Sequence, residues 1–451
     1  MPADRMMHLA FSAHLTGSHP AGWRHPSTQM NADTDIAAYR RLAQLAERGK
    51  LDMFFMADTP ALRIDKLGAW SRYPLFTNVL EPMTALAAIA GATEFIGLGG
   101  TATTSFNEPY NVARQFASLD HVSGGRAAWN VVTTANNYAA RNFGHAALAP
   151  HAERYERAGE FVAVVKQLWD TWEDDAFVHD REAAIFYDQD KLHPVTHEGK
   201  FFKVHGGLNI ERTPQGQPVI VQAGASSAGK ELAAATADVV FGSAPTIERA
   251  RDYYADLKSR MANYGRPPSE LKLLAGMPIV VGESMQEAED KHRSLQELLH
   301  PDVARQRLAM DLEADLSGLD YDQPIPEDRI PTAANLHTAY FAEIVRMIRS
   351  EKLTLRQLAM RYERGTRSLR GTPKHIADTL EEWFTTGAAD GFMFALHLQP
   401  AGLEDVVKHV VPELQRRGLF RRDYTGRTLR EHLGLVRPEN RHVQKVAPSA
   451  A

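Results

Sequence analysis

The stretch Glu94–Asn130, EFIGLGGTATTSFNEPYNVARQFASLDHVSGGRAAWN, decides the fold. An apolar strand runs into small and hydroxylated residues: Gly99, Gly100, Thr101, Thr103 and Thr104. Pro109 can open a helix, because the first helical turn has no use for the N–H that proline lacks. Gly124 and Gly125 break the chain, and Ala127–Val132 reads as a second apolar strand. This is a βαβ unit with its polar groups at the strand ends, where α/β proteins place their chemistry. It belongs either to a dinucleotide-binding open sheet or to a barrel. Gly97-Leu98-Gly99-Gly100-Thr101-Ala102 matches the G-x-G-x-x-A fingerprint of the open sheet. That fingerprint must open a helix directly, whereas Thr103–Asn107 intervene before Pro109. The glycines are then expected to let a flat ligand approach the strand end closely.

Outward from this unit the same alternation recurs. Met6–His14 reads as a strand, and Asp33 or Thr34 as the cap of a helix with Ile36, Tyr39, Leu42 and Leu45 on one face. Leu51–Ala57 is a short, continuous apolar run that fits a strand buried on both faces, with Asp58 directly after it. Glu81–Gly91 and His151–Trp172 read as helices. Further strands are expected at Pro218–Ala223, Asp238–Ser243, Lys272–Val281 and Gly391–His397, with helices between and after them. Pro278 inside one strand resists full pairing on both sides. About eight strand–helix units predict a TIM (β/α)8 barrel. Residues 1–420 are expected to form one domain, with insertions at about 174–218 and 285–371. Residues 421–451 read as a polar C-terminal tail, and the basic group around Arg416, Arg417, Arg421 and Arg422 as a solvated helix end.

Composition sets limits on function. The chain has 451 residues, 44% of them hydrophobic, enough for a large core. Its net charge is −5 with no basic block, so nucleic acid is not an expected partner. The chain has 0 cysteines, which excludes disulfides, thiolate nucleophiles and Cys-ligated metal. His193 and His197 have the spacing of a helical metal pair, but Pro194 separates them and no glutamate ligand follows in register, so no metal is expected. The N-terminus has no long apolar run, and no segment is apolar enough to span a bilayer. A cytoplasmic protein without membrane contact is the expectation.

Several residues fall at expected strand ends or at the helix starts that follow them. Asp58 is one. Gly224-Ala225-Ser226-Ser227-Ala228 lacks the final glycine of a nucleophile elbow, and reads either as a phosphate site at a helix N-terminus or as a simple helix cap. His151 and Tyr155 lie one turn apart on a shared helix face, as a ligand-binding pair or as surface residues.

The runs FFMAD, GTATTSFNEPYNVARQFASLDHVSGGRAAWNVVTT, ARNFG, HAERYERAGEFVAVVKQLW, EGKFFKVHGGLN, PQGQPVIVQAGASSAG and PELQRRG resemble the nitrilotriacetate monooxygenase component A family. That family is a branch of the bacterial-luciferase-like FMN-dependent monooxygenases, and the likeness extends in order to about Arg417. It implies a luciferase-like barrel with insertions. The enzyme would use FMN as FMNH2, delivered by a separate NAD(P)H:flavin reductase, with O2 as co-substrate. It would oxygenate a small organic molecule, often with C–N or C–S cleavage. A homo-oligomer, dimer or tetramer, is implied as well. Two alternatives are an F420-dependent oxidoreductase of the same superfamily and a flavin-binding protein without catalysis.

Residue by residue, the resemblance places Asp58, Thr103 or Thr104, and Asn130 beside the flavin ring. It places His151, Tyr155, and Ser226 or Ser227 near its phosphate. The catalytic candidates are His14, Arg24, His25 and His397, with His19 and Asn107 nearby; the alternative for each histidine is a structural or solvated role. Residues 285–371 resemble a mobile lid.

Overall fold

The computed structural model describes residues 5–74, 76–334, 338–362 and 368–443. Eight strands lie in chain order: β1 His8–Ser12, β2 Met53–Met56, β3 Gly97–Thr103, β4 Ala127–Val132, β5 Val219–Ala223, β6 Val239–Gly242, β7 Lys272–Val281 and β8 Gly391–Leu396. Each pairs in parallel with the next, and β8 pairs back onto β1. The sheet is therefore a closed barrel, with the connecting helices outside it. Pro278 survives in β7 because β6 stops pairing at Ala275, and the short strand Leu369–Gly371 joins only from Ile279. At Pro278 only β8 is paired, opposite Ala395.

Asp35, not Asp33 or Thr34, caps the first helix, Ile36–Arg48, accepting from the Ala37 N–H at 2.9 Å. Ala32–Thr34 coil into a 3-10 turn, so the helix starts later than expected and the Asp33 carboxylate is released from capping. Between β4 and β5 lies an antiparallel hairpin, Val195–Glu198 with Lys203–Gly206. Between β7 and β8 lie the helices Met285–Leu298, Pro301–Leu312, Thr338–Glu351 and Leu355–Arg361. These build their own apolar core around Leu308, Leu312, Ile344 and Leu355, and Ala21 of the β1 loop packs into it.

The expectation of a polar tail from Arg421 is corrected. Leu429, Leu433 and Leu435 are buried against Ala10, Met53, Val219 and Val239 in the barrel interior. The short helix Leu429–His432 thus plugs the barrel at the end where the strands begin. Arg430 of this helix and Arg421 before it are paired with carboxylates there. Arg430 forks onto Asp238 at 2.8 and 3.2 Å and donates to the Gln217 carbonyl at 2.9 Å. Arg421, expected to be solvated, pairs with fully buried Asp52, which also accepts from the Leu9 N–H at 2.7 Å and faces His8 Nδ1 at 3.2 Å. Asp52 would be driven neutral by burial alone; Arg421, His8 and that N–H outweigh burial and hold its carboxyl below the usual range. Of the basic group, Arg416 and Arg422 are the solvated members.

The glycines of β3 are also reassigned. A side chain at Gly97 would strike Leu429, one at Gly99 would strike Met53, and one at Gly100 would strike Leu86. Their space is taken by the plug, the barrel interior and the helix Pro82–Ala90, not by a ligand. Among the described residues, no helix is long and apolar enough to cross a membrane.

Candidate active site

A cavity of about 300 Å³ opens where β3, β4 and β5 end. Its wall includes Asp58, Thr101, Thr103, Val132, Tyr155 and Gly229. Strand periodicity explains the threonines. Side chains alternate across a strand, so Thr101 and Thr103 share the inward face. Thr104 does not line the cavity: it is fully buried, and its hydroxyl donates to the Val132 carbonyl at 3.2 Å. The period of two separates Thr101 from Thr104 in the sequence itself, and Thr101 is the residue the sequence reading missed.

The inward row carries a directed hydrogen-bond chain. Thr101 Oγ1 donates to the Met56 carbonyl at 3.0 Å and accepts from Asn130 Nδ2 at 2.8 Å. A hydroxyl has one proton, so the Asn130 amide must present its nitrogen to Thr101. Its Oδ1 is left buried with no partner. Buried polar atoms are ordinarily satisfied, so this one marks an acceptor kept for something else. Thr103 Oγ1 is engaged locally, with Thr134 Oγ1 at 2.6 Å and the Ser105 N–H at 3.1 Å. Asn107 ties the same loop, donating to the Thr103 carbonyl at 2.8 Å. Burial pushes the Asp58 carboxyl up, opposed by the Thr59 N–H.

Two helices aim their N-termini at this end of the barrel, His151–Trp169 and Ser227–Thr236. Ser226 is the cap of the second, its Oγ accepting from the Gly229 N–H at 3.1 Å. Ser227 is exposed on the first helical turn, with its hydroxyl outside the cap. Gly229 permits a close approach: a Cβ there would stand 3.2 Å from both Tyr155 Oη and Ser226 Oγ. His151 is exposed, its ring centroid 4.7 Å from that of Tyr155. Arg154, which sequence reading passed over, donates to the Thr133 carbonyl at 3.1 Å and to that of Thr134, fixing the loop after β4.

A second cavity of about 60 Å³ lies beyond Met56 and Ala57, where β1 and β2 end. His14, His19, Asp33, Tyr39 and Tyr73 line it. His19 Nδ1 accepts from the Ala21 N–H at 3.1 Å. Burial, with His397, Arg307 and His292 nearby, pushes its imidazole down to about 2. Burial pushes His14 down as well. His397 lies behind this cavity, its ring 5.6 Å from that of His19 and 5.5 Å from that of His292 on the inserted helix.

Arg24 and His25, also expected among catalytic candidates, line neither of these two cavities. Arg24 reaches out to the Leu298 carbonyl of the insertion, and the His25 ring bonds Ser27 Oγ at 2.8 Å. Among the described residues, no group of three or more His, Cys, Asp or Glu is arranged to hold a metal.

A closed parallel barrel with a polar cavity at its strand ends, facing two helix N-termini, defines a cofactor-using barrel enzyme. The model of the Luciferase-like monooxygenase family matches residues 13–390, and the chain belongs to that family. It is 47% identical to nitrilotriacetate monooxygenase component A of Aminobacter aminovorans, over 98% of this chain and 99% of the relative. It is 43% identical to N-acetyl-S-(2-succino)cysteine monooxygenase of Bacillus subtilis, over 95% and 96%. Among solved structures it is similar to EDTA monooxygenase from Chelativorans sp. BNC1, with a TM-score of 0.77 at 36% identity, over 97% and 100%. The protein is a flavin-dependent monooxygenase. The cavity fits a flavin on its own terms, with an orphaned buried acceptor at Asn130 directly behind Thr101 of its wall, a close-approach glycine at 229 and two helix N-termini.

Proposed function

We propose that the protein is the oxygenase half of a two-component system. It takes FMNH2 from a separate NAD(P)H:flavin reductase and uses O2 to oxygenate a small organic substrate, with cleavage of a C–N or C–S bond. The observation that carries this reading is Asn130 Oδ1, the unpartnered buried acceptor in the inward row. Its orientation is forced by Thr101, so it accepts an N–H, which the edge of an isoalloxazine ring offers. Asp58, with its carboxyl pushed up by burial, can hold a proton or accept from a ribityl hydroxyl. The Tyr155 hydroxyl, the exposed Ser227 hydroxyl and the helix N-terminus behind them suit the FMN phosphate. His151 stands at the outer edge of that group. Val131, Val132 and Leu232 give the cavity an apolar stretch of wall against which a ring can lie.

Bound reduced flavin supplies the electrons that activate oxygen. The chain's part is to orient the ring through Asn130 and anchor the phosphate. The names of the relatives support the breadth of substrate: one monooxygenase acts on nitrilotriacetate, another on a succinylated cysteine. Dependence on NAD(P)H and the reductase favours a cytoplasmic setting, and a homo-oligomeric state completes the proposal.

The test is an anaerobic titration with FMNH2 and with reduced F420, followed by admission of 18O2 with reductase present. FMNH2 binding together with one labelled oxygen atom in the product is expected. Turnover without oxygen, or with NAD(P)H but no reductase, would sink the reading.

A further inference from the structure

The second cavity carries a charge that the protein does not neutralise. Asp33 lines it, and among the described residues its carboxylate has no hydrogen bond and no ion pair. Asp35 has taken the capping role, so Asp33 keeps only its backbone carbonyl engaged, accepting from the Tyr39 hydroxyl at 3.0 Å. The other titratable groups on the wall offer no counter-charge. His14 and His19 are held neutral by burial, and Tyr39 keeps its proton. Nearby Arg41 is turned to Gln29 and Asp35 instead. Arg307, on the His19 side, lies over the Tyr73 ring at 5.9 Å, without an ion pair to Asp33 among the described residues. Burial pushes the Asp33 carboxyl up to about 6, so at neutral pH it remains largely ionised. A half-buried carboxylate without a partner is costly, and a cationic ligand removes that cost.

The rest of the wall narrows the ligand. Tyr39, Tyr73 and Phe76 are aromatic, and rings of this kind attract alkylammonium groups. The volume of about 60 Å³ has room for about four waters, the bulk of a small methylated ammonium head. The absence of a three-residue metal-binding group among the described residues favours an organic cation over a metal ion. The cavity meets the proposed flavin site across Ala57 and Asp58.

We infer that the substrate carries a protonated alkylamine and that Asp33 is the residue that selects it, holding the ammonium against the aromatic wall. This rests on the flavin reading of the first cavity. The test is calorimetric titration of FMN-loaded protein under nitrogen with trimethylammonium, against neutral dimethyl sulfide and anionic acetate. FMN binding is followed by fluorescence in the same samples and again without amine. If FMN does not bind, the flavin reading fails; the amine titration of the FMN-free protein still reports on Asp33.

Trimethylammonium is expected to bind at least tenfold tighter than either control. Asp33→Asn is expected to abolish that preference while leaving FMN affinity unchanged, and Asp33→Glu to retain it in part. Should the asparagine variant not fold, the wild-type protein still decides the matter: amine affinity should fall as pH drops below about 6, by up to tenfold per unit. Equal binding of amine and dimethyl sulfide, or amine affinity indifferent to Asp33→Asn or to this pH range, would overturn the inference.

Discussion

The two ends of the barrel are built on opposite principles. At the floor, buried charges are paired: Asp52 with Arg421, and Asp238 with Arg430. At the mouth, polar groups are left open: among the described residues Asn130 Oδ1 has no partner, and the Asp33 carboxylate has neither hydrogen bond nor ion pair. Both ends bury polar atoms in one fold, so burial alone does not identify a site. What differs is how the buried acceptors are met. The floor carboxylates are each filled by an arginine, while among the described residues Arg421 Nη1 and His432 Nδ1 beside them are left over. At the mouth the acceptor itself, Asn130 Oδ1, is the group left open among the described residues.

The contrast can be broken experimentally, starting at the floor. Asp52→Ala leaves Arg421 buried without its partner and is expected to cost about 3–5 kcal/mol in urea unfolding. FMN affinity of the folded fraction should stay within twofold; a large loss of affinity at unchanged stability would put Asp52 on the wrong side of the division. Leu429→Ala should cost about 2–4 kcal/mol by opening a cavity in the plug, again without effect on the flavin.

At the mouth the signs reverse. Asn130→Ala should weaken FMN binding roughly ten- to hundredfold, about 1–3 kcal/mol, with little change in melting temperature. The two serines separate the roles within one turn. Ser226→Ala removes a cap and should lower stability by about 1 kcal/mol. Ser227→Ala should spare stability and weaken FMN a few-fold; the opposite assignment would show that the cap and the phosphate contact had been exchanged.

The smallest effect is a matter of pH. Asp52 and Asp238 are held below the usual carboxylate range, so their stabilisation is full above about pH 4 and is lost on further acidification. Asp33 behaves oppositely. Its penalty is full above about 6 and is relieved as pH falls toward 3.8. Asp33→Asn should therefore melt at or slightly above wild type at about pH 7.5, with the gap closing by about pH 4.5. A gap that widened on acidification would contradict an unpaired Asp33.

Much of this was legible in the chain. The βαβ reading of Glu94–Asn130 rested on hydrophobic runs and breakers, which act locally, and the same alternation revealed the barrel. The glycines of that stretch were misjudged because what fills the space at Gly97 is Leu429, more than three hundred residues away. The floor was missed for a related reason. Between Arg421 and Asn440 the few apolar residues are outnumbered by charges, and only the folded partners Asp52 and Asp238 turn Arg421 and Arg430 into core residues. Thr101 could have been chosen over Thr104 from strand periodicity alone. Asp33 could not, since which of two nearby aspartates caps the helix depends on where the 3-10 turn ends.

The plug also orders events in time. All eight strands are translated before Leu429 emerges, yet β1, β2, β5 and β6 border the space its side chain and its neighbours fill. The plug is therefore a contact of long sequence separation, which a nascent chain has no means of making until every strand has been synthesised. Such a long-range step is slow compared with local closure. Without it, Ala10, Met53, Val219 and Val239 would lose the apolar cover that Leu429, Leu433 and Leu435 give them.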